Sequence, residues 1–530
     1  MDAVQQNSFL KKLLGWLWQR RDSARVGFLL RIVTLGGGMV FSLAWTRLLT
    51  HSMGKELYGL FIAFMALTRF AGLGEGGIGN AVSILLLPYR AQQRFDGMAR
   101  FLDSARTLML GLAVSFGVVV MLLSPWLPGW LHFQTAPGSG SLTLLFIMGG
   151  VGIAFTIAAS YFNNVSYGVG NVCWPILPAF VATQVAFLCQ WLMARTGSPL
   201  WCQYLPQVGI QIFCIWFIWL GLTWTDRRVG ALLPLAADRA VFKQLFSTGV
   251  WAYLANLGNM VFTTMGQLLV NAGFGAVQVP AFVVNGRLPE LAFSLINAAS
   301  FVASFKIVTL LQSKHDPALR AQGVKLFHYL HRVQILMGLA AAAGYLLFND
   351  SFVAWWLGMD YQIAHAVQFA FAANLVLAAG TDAVLRVVCL RSPEDLRYYS
   401  RTVILTSGLY LVVAFASMKA GFLPGIAGAA ALAQLTLGCL NARRLCSEPG
   451  WSLWVVMQRT VLLPLGVLAL LIALKLAVSG TSPASWAILI TAYVVILVLT
   501  NRLLGFRFAD IPSEIKTLIG LLRRNPNPEP

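Results

Sequence analysis

Hydrophobic positions in this chain fall in long unbroken runs separated by short polar stretches. The first run is Gly27 to Leu49, and His51-Ser-Met-Gly-Lys-Glu-Leu-Tyr-Gly59 breaks it. A second run reaches Leu87, interrupted at Gly72-Leu-Gly-Glu-Gly-Gly-Ile-Gly-Asn80, and a basic piece from Tyr89-Arg90 to Arg106 follows. A run of about 20 apolar residues covers the hydrocarbon thickness of a bilayer as a helix. Only a helix satisfies its own backbone there within one segment of this length. The pattern predicts a helical hairpin through a membrane, closed by a polar loop. Continued along the chain, it gives about fourteen spans, at 27–50, 57–87, 107–127, 142–165, 170–193, 200–224, 245–271, 276–310, 333–356, 364–390, 402–421, 424–441, 459–478 and 485–503.

Composition agrees. Of 530 residues 58% are hydrophobic and 11% charged, against about 25% charged in soluble domains. The fold class expected is an all-α polytopic membrane protein. A formal net charge of +19 would suggest nucleic acid in a soluble chain. Here no basic domain stands apart from the spans, so the charge reads as cationic loops that set topology and meet anionic lipid. Lys and Arg crowd into alternate loops: 11–25, 90–106, 227–243, 314–332, 386–401, 443–459 and 502–524. The opposite loops hold little beyond Arg47, Lys55, Arg195, Lys419 and Lys475. That alternation requires an even number of spans with both termini cytoplasmic.

Residues 1–26 place Leu10, Leu13, Leu14 and Leu17 at helical spacing among Lys and Arg, the pattern of an amphipathic helix lying on the inner surface. No short apolar core with a cleavage site marks a removable signal there. The tail 504–530 ends in Asn525-Pro-Asn-Pro-Glu-Pro530 and reads as disordered. Seven cysteines, an odd number with no CxxC pair, give neither a disulfide framework nor a zinc site. His328 and His331, without a third ligand nearby, read as a solvated helix face. No Walker motif occurs, and Gly72-x-Gly74-x-x-Gly77 lies inside a span with no strand before it. Its glycines therefore suit close helix packing or a bend better than a nucleotide. No loop is long enough for a catalytic domain, no cofactor is expected, and function must reside within the membrane.

Thr46-Arg47-Leu48-Leu49 followed by Met53-Gly54-Lys55-Glu56-Leu57-Tyr58-Gly59-Leu60-Phe61 resembles the first-loop signature of the Wzx-type polysaccharide flippase family. In that family a helix ends in Arg-Leu-Leu and a Gly-x-Glu-x-Tyr-Gly turn opens the next. Gly74 to Asn80 and the Tyr89-Arg90 exit are similar to the family's second helix, and the number of spans matches. At His51-Ser52 the sequence departs from the pattern, which more often runs straight from the leucines into the glycine turn. The family belongs to a larger group that includes MATE-type multidrug exporters and the lipid II flippase. The resemblance implies two parallel six-helix lobes forming a V, with helices 1, 2, 7 and 8 lining a cationic cavity, plus two C-terminal helices. It also implies a cavity that receives a sugar on a polyprenyl diphosphate.

The sequence carries its own trace of a repeat. Asn271-Ala-Gly-Phe-Gly275-Ala-Val-Gln-Val-Pro-Ala-Phe282 repeats the order helix, glycine turn, helix, with Gly275 where Gly54 sat. A substrate site at the interface of internal repeats is a common transporter plan. The expected organisation is an N-lobe over 27–224, a linker over 225–244, a C-lobe over 245–441 and two further spans within 442–503.

Charges inside spans are costly and face a cavity or one another. Arg69 and Glu75 fall in span two; Arg287 and Glu290 fall in span eight, around Pro289. Arg69 and Arg287, from opposite lobes, would suit a diphosphate, because guanidinium pairs with phosphate bidentately. The alternative is static pairs, for which a spacing of three (287/290) is better than six (69/75). Arg31 and Lys306 lie near span ends, where snorkelling to the interface competes with a cavity role. Asn80 and Asn271 could touch sugar hydroxyls or hydrogen-bond between helices. Asp382 and Arg386, four apart, share a helix face. Glu75, Glu290, Asp382 and Arg386 are thus open to two roles, ion coupling or charge pairing.

The function expected is a flippase, not an enzyme. It would translocate undecaprenyl-diphosphate-linked oligosaccharide units across the bacterial cytoplasmic (inner) membrane by alternating access, for exopolysaccharide, O-antigen or capsule synthesis. Membrane lipids are its other partners, and a polysaccharide polymerase and export proteins are the protein partners this reading allows; nucleic acid is not one. The alternatives are a MATE-like cation-coupled small-molecule exporter, or a non-transporting scaffold of a polysaccharide export complex.

Overall fold

A computed structural model describes residues 24–91, 95–131, 133, 139–168, 173–225, 236–311, 317–447, 452–478 and 483–503. Most of the expected N-terminal amphipathic helix, the middle of the 225–244 linker and the 504–530 tail lie outside the described residues. The described elements are helical throughout, and no strand occurs among them. The protein is an all-α polytopic membrane protein.

In chain order the helices are α1 (Ala24–Ala71), α2 (Ile78–Ala91), α3 (Phe95–Leu123), the short α4 (Leu127–Trp130), α5 (Leu142–Gly168), α6 (Cys173–Arg195), α7 (Leu200–Thr225) and α8 (Arg239–Phe274). They continue as α9 (Gln278–Leu311), α10 (Pro317–Trp356), α11 (His365–Arg391), α12 (Pro393–Lys419), α13 (Leu423–Leu445), the short α14 (Leu453–Met457), α15 (Leu463–Ala477) and α16 (Pro483–Leu503). A π-helical turn, Gln458–Leu462, joins α14 to α15. Nine of the described helices are long and apolar enough to cross a membrane, from Gly97–Leu123 to Leu453–Ala477.

Helix α1 runs 48 residues but is two helices end to end, because Gly54 sits at φ 77°, ψ 167°. Only glycine takes that conformation without strain. Gly275, between α8 and α9, has φ 81°. The two glycines aligned by the sequence repeat therefore share a positive φ.

The chain divides into two compact units. The first comprises Met1–Met260 with Gly275–Val279, and the second Val261–Phe274 with Pro280–Pro530. In the first, α5 is the central helix and packs on α3, α7 and α2. Ile78, Val82, Phe101, Met109, Ile157 and Ile218 form one buried cluster. Phe64 anchors a second, with Phe146 and Tyr204 set edge-on at centroid distances of 5.4 and 5.0 Å. Edge-to-face rings place the positive rim of one against the negative face of the other.

In the second unit α11 is central and packs on α13, α10, α12 and α15. Ile335, Leu339, Leu375, Val376, Leu468, Leu471 and Tyr493 share one core, so α15 and α16 belong to it rather than standing apart. The corner between α11 and α12 is made by Ser392, whose hydroxyl accepts from the Asp395 amide at 3.1 Å as an N-cap, with Pro393 at the first helical position. Asp395 is 4% exposed and accepts from Arg391 and, from the end of α13, Arg444, each at 2.7 Å.

Candidate functional site

Two polar assemblies lie within otherwise apolar spans, one in each unit. In the first unit, span two is interrupted after α1 by a 3₁₀ turn, Gly72–Glu75. Gly76 and Gly77 follow at φ 63° and 68°, and α2 then resumes. The break lets backbone meet backbone: a β-carbon on Gly77 would lie 2.6 Å from the Gly249 carbonyl oxygen and 2.8 Å from the Tyr253 nitrogen, both on α8. Close packing, rather than a nucleotide, accounts for the glycine string. Arg69 is in the last turn of α1 and is exposed. Glu75 is half-buried; the Ser160 hydroxyl on α5 faces its carboxylate, and its Oε2 is shielded from solvent. Asn164, one turn beyond, donates to the Ser160 hydroxyl at 3.2 Å. Glu75 thus sits between the interrupted span and α5, its Oε2 buried and without a hydrogen-bond partner among the described residues. The side chains of Arg31 and Asn80, and of Lys306, lie outside the described residues.

In the second unit the structure brings Arg287 and Glu290 together as an ion pair at 2.6 Å, one turn of α9 around Pro289. Their side chains are 26% and 60% exposed, so the pair is open to solvent or ligand, not sealed in the core. Asn271, near the end of α8, is buried, and its Nδ2 makes no hydrogen bond among the described residues.

Asp382 is the centre of the second assembly. Arg386 Nε lies 3.1 Å from both carboxylate oxygens. Gln334 on α10 donates to Oδ2 at 2.8 Å, and Asn297 on α9 donates to Oδ1 at 3.3 Å. Three helices therefore converge on one carboxylate that is 6% exposed. Burying a charge is tolerable only with such pairing. Next to it Gln434 on α13 donates to the Thr381 hydroxyl at 2.7 Å. His331, expected on a solvated face, is 1% exposed. Its Nε2 donates to the Gly380 carbonyl at 2.8 Å, with the Thr460 hydroxyl at 3.2 Å. Thr460 lies in the π-helical turn, and its backbone carbonyl also packs against Gly380.

At the other end of α10, Lys475 of α15 donates to the Leu346 carbonyl at 2.6 Å and lies 3.2 Å from Asp350. Gln368 also donates to Asp350. Asn349 donates to Asn285 at 2.6 Å, and Asn285 to the Tyr361 carbonyl at 2.8 Å. The sequence pattern places Lys475 in a loop; it is instead the tie that fastens α15 to α10. Arg106, likewise counted as a loop cation, is 1% exposed and lies 3.3 Å from Asp103.

No protein-family model matches this sequence, and no curated protein matches it. Solved structures do match in fold. The lipid II flippase MurJ in an inward closed conformation superposes with a TM-score of 0.62 at 12% identity, over 94% of this chain and 100% of that one. A multidrug resistance MATE family transporter of the MOP superfamily, inward-facing, gives 0.58 at 14% identity, over 77% of this chain and 94% of that one. A eukaryotic MATE transporter gives 0.54 at 12% identity, over 82% and 99%. The two assemblies therefore sit in a chain that has the fold shared by MATE transporters and the lipid II flippase MurJ.

Proposed function

We propose that this chain is a membrane transporter, and specifically a flippase for an oligosaccharide carried on undecaprenyl diphosphate. The observation that carries the reading is coverage. The lipid II flippase matches 94% of this chain and is itself matched over its full length, whereas the MATE structures cover 77% and 82%. A match of that extent takes in nearly all of the chain, so the part the MATE structures leave over is largely accounted for by a protein whose cargo is a lipid.

Arg69 and Arg287 are the residues proposed to meet the diphosphate, with Arg31, Asn80 and Asn271 as further contacts. Arg287 is presented beside the exposed Glu290, and guanidinium matches phosphate oxygens bidentately. A diphosphate would compete with Glu290 for it. The lipid tail stays in the bilayer throughout, since withdrawing it would cost about 0.8 kcal/mol per CH₂. The headgroup site opens alternately to the two sides of the membrane. The cation-rich loops set the cytoplasmic side, in a bacterial inner membrane. Asp382, fully engaged by Arg386, Gln334 and Asn297, serves as a fixed structural centre in this scheme.

The test is genetic and chemical together. The gene is deleted in its host, and lipid-linked intermediates and surface polysaccharide are followed by mass spectrometry. The strain is then complemented with the wild type, Arg69→Ala or Arg287→Ala. The proposal requires loss of polysaccharide, accumulation of undecaprenyl-linked units, and the same defect in both variants at normal protein level. Unchanged lipid-linked pools with altered drug sensitivity would establish the MATE-like exporter reading instead.

A further inference from the structure

The Arg287–Glu290 pair lies on a face of α9 turned away from the core of its own unit. Asn285 and Ile296 are buried, as is Pro289, and Leu288, Ala292 and Phe293 pack against the core. These positions recur at helical spacing and mark the inward face. Phe282 packs on Phe371 with ring centroids 5.1 Å apart, and Asn285 donates to the Tyr361 carbonyl at 2.8 Å. The helix is therefore held along one side, and Arg287 and Glu290 project from the other.

The two partners are held unequally. The guanidinium is 26% exposed and the carboxylate 60%, at a separation of 2.6 Å. Glu290 gives up little packing when it swings away, while Arg287 stays in place. Glu290 also lies twelve residues into the span Gln278–Asn297, about 18 Å along the helix axis. A carboxylate so open at that depth faces water or a ligand, not hydrocarbon.

Alternating access has two crossings, one loaded and one empty. In the loaded crossing the diphosphate compensates Arg287. In the empty crossing the site closes without substrate, and a charge taken out of water without a partner is costly. Attraction between opposite charges grows as water leaves, so an ion pair tightens as the site closes. We propose that Glu290 is the internal counter-anion of the empty carrier. It holds Arg287 while the site is vacant, yields it to the arriving diphosphate, and takes it back after release, so the guanidinium is compensated in both crossings. This inference rests on the flippase reading above, and it makes the pair an exchangeable contact, not a static bridge.

The purified full-length chain is reconstituted in proteoliposomes whose inner leaflet holds a fluorescently tagged polyprenyl-diphosphate oligosaccharide. Arrival of the tag outside is read with an impermeant quencher. In one arm the outer leaflet holds no substrate, and each transfer must be followed by an empty return. In the other it holds untagged substrate in excess, and the carrier returns loaded. The wild type is expected to run at similar rates in both arms. In Glu290→Gln, similar in size but uncharged, the ratio of exchange to net transfer is expected to rise about tenfold through loss of the net rate. Glu290→Asp, which keeps the charge, is expected to fall between the two. Arg287→Ala is expected to slow both arms together. An unchanged ratio in Glu290→Gln would overturn the inference, whether both rates stay normal or both fall, the second being what a merely structural pair gives. If Glu290→Gln purifies poorly, Glu290→Ala is read in the same two arms by the same criterion. A wild type that moves no tag in either arm would overturn the flippase reading itself.

Discussion

Gly76 and Gly77 are neighbours with nearly the same backbone conformation, φ 63° and 68°, and very different surroundings. A β-carbon on Gly76 meets nothing closer than Ile78 Cδ1 at 3.9 Å; on Gly77 it would meet the Gly249 carbonyl oxygen at 2.6 Å and the Tyr253 nitrogen at 2.8 Å. Gly76→Ala therefore costs only the left-handed conformation, about 1–2 kcal/mol. Gly77→Ala adds overpacking of about 1–3 kcal/mol, because backbone, unlike a flexible side chain, cannot swing aside. Its total is about 2–5 kcal/mol. Approached from the other side, a β-carbon on Gly249 meets Gly77 O at 3.1 Å. That moderate crowding is offset by the roughly 1 kcal/mol gained when alanine replaces glycine inside a helix. Thermal melting of the detergent-purified variants should rank Gly77→Ala well below Gly76→Ala, with Gly249→Ala close to wild type. Equal melting of the Gly76 and Gly77 variants would refute the close crossing of the interrupted span and α8.

Other consequences follow from the polar assemblies. Arg386→Ala removes the guanidinium 3.1 Å from the buried Asp382 carboxylate and leaves the Gln334 and Asn297 donors in place; it should cost about 3–5 kcal/mol. Removing both partners, Asp382→Ala with Arg386→Ala, should cost clearly less than the sum of the single changes in a melting-based double-mutant cycle. Lys475→Met keeps the stem but loses the bonds to Leu346 and Asp350, lowering stability by about 1–3 kcal/mol. Lys419→Met, on an exposed side chain lying over Phe415, should stay within about 0.5 kcal/mol. His331→Ala strips a buried donor from the Gly380 carbonyl; a cost of about 1–3 kcal/mol is expected in the same assay, and a neutral result would contradict the junction described.

The sequence carries the spans because apolar length is a local property, and it carries the Gly54–Gly275 correspondence because both positions take a positive φ. The Asp382–Arg386 and Arg287–Glu290 pairs are legible for the same reason: spacings of four and three bring side chains together on any helix. What stays hidden is pairing across helices. Lys475 finds its carbonyl 129 residues away at Leu346, and His331 finds Gly380 49 residues away. A reading by loop position assigns both to solvent. Arg106 misleads in the same way, since its place near a span end suggests a loop, while helix α3 carries it into the core beside Asp103. A lysine inside an otherwise unbroken apolar run, as at Lys475, is the one signal available beforehand: at that depth a charge has a partner.

The central claim is movement of a lipid-linked sugar across a bilayer. It is tested most directly with the purified chain in proteoliposomes holding a labelled polyprenyl-diphosphate oligosaccharide in both leaflets, probed by an impermeant glycosidase added outside. The account predicts that nearly the whole labelled pool becomes cleavable with the wild type, while Arg69→Ala and Arg287→Ala vesicles stall near the half that faces outward. A wild-type pool that also stalls near half, in vesicles that instead transport a cationic drug, would contradict it.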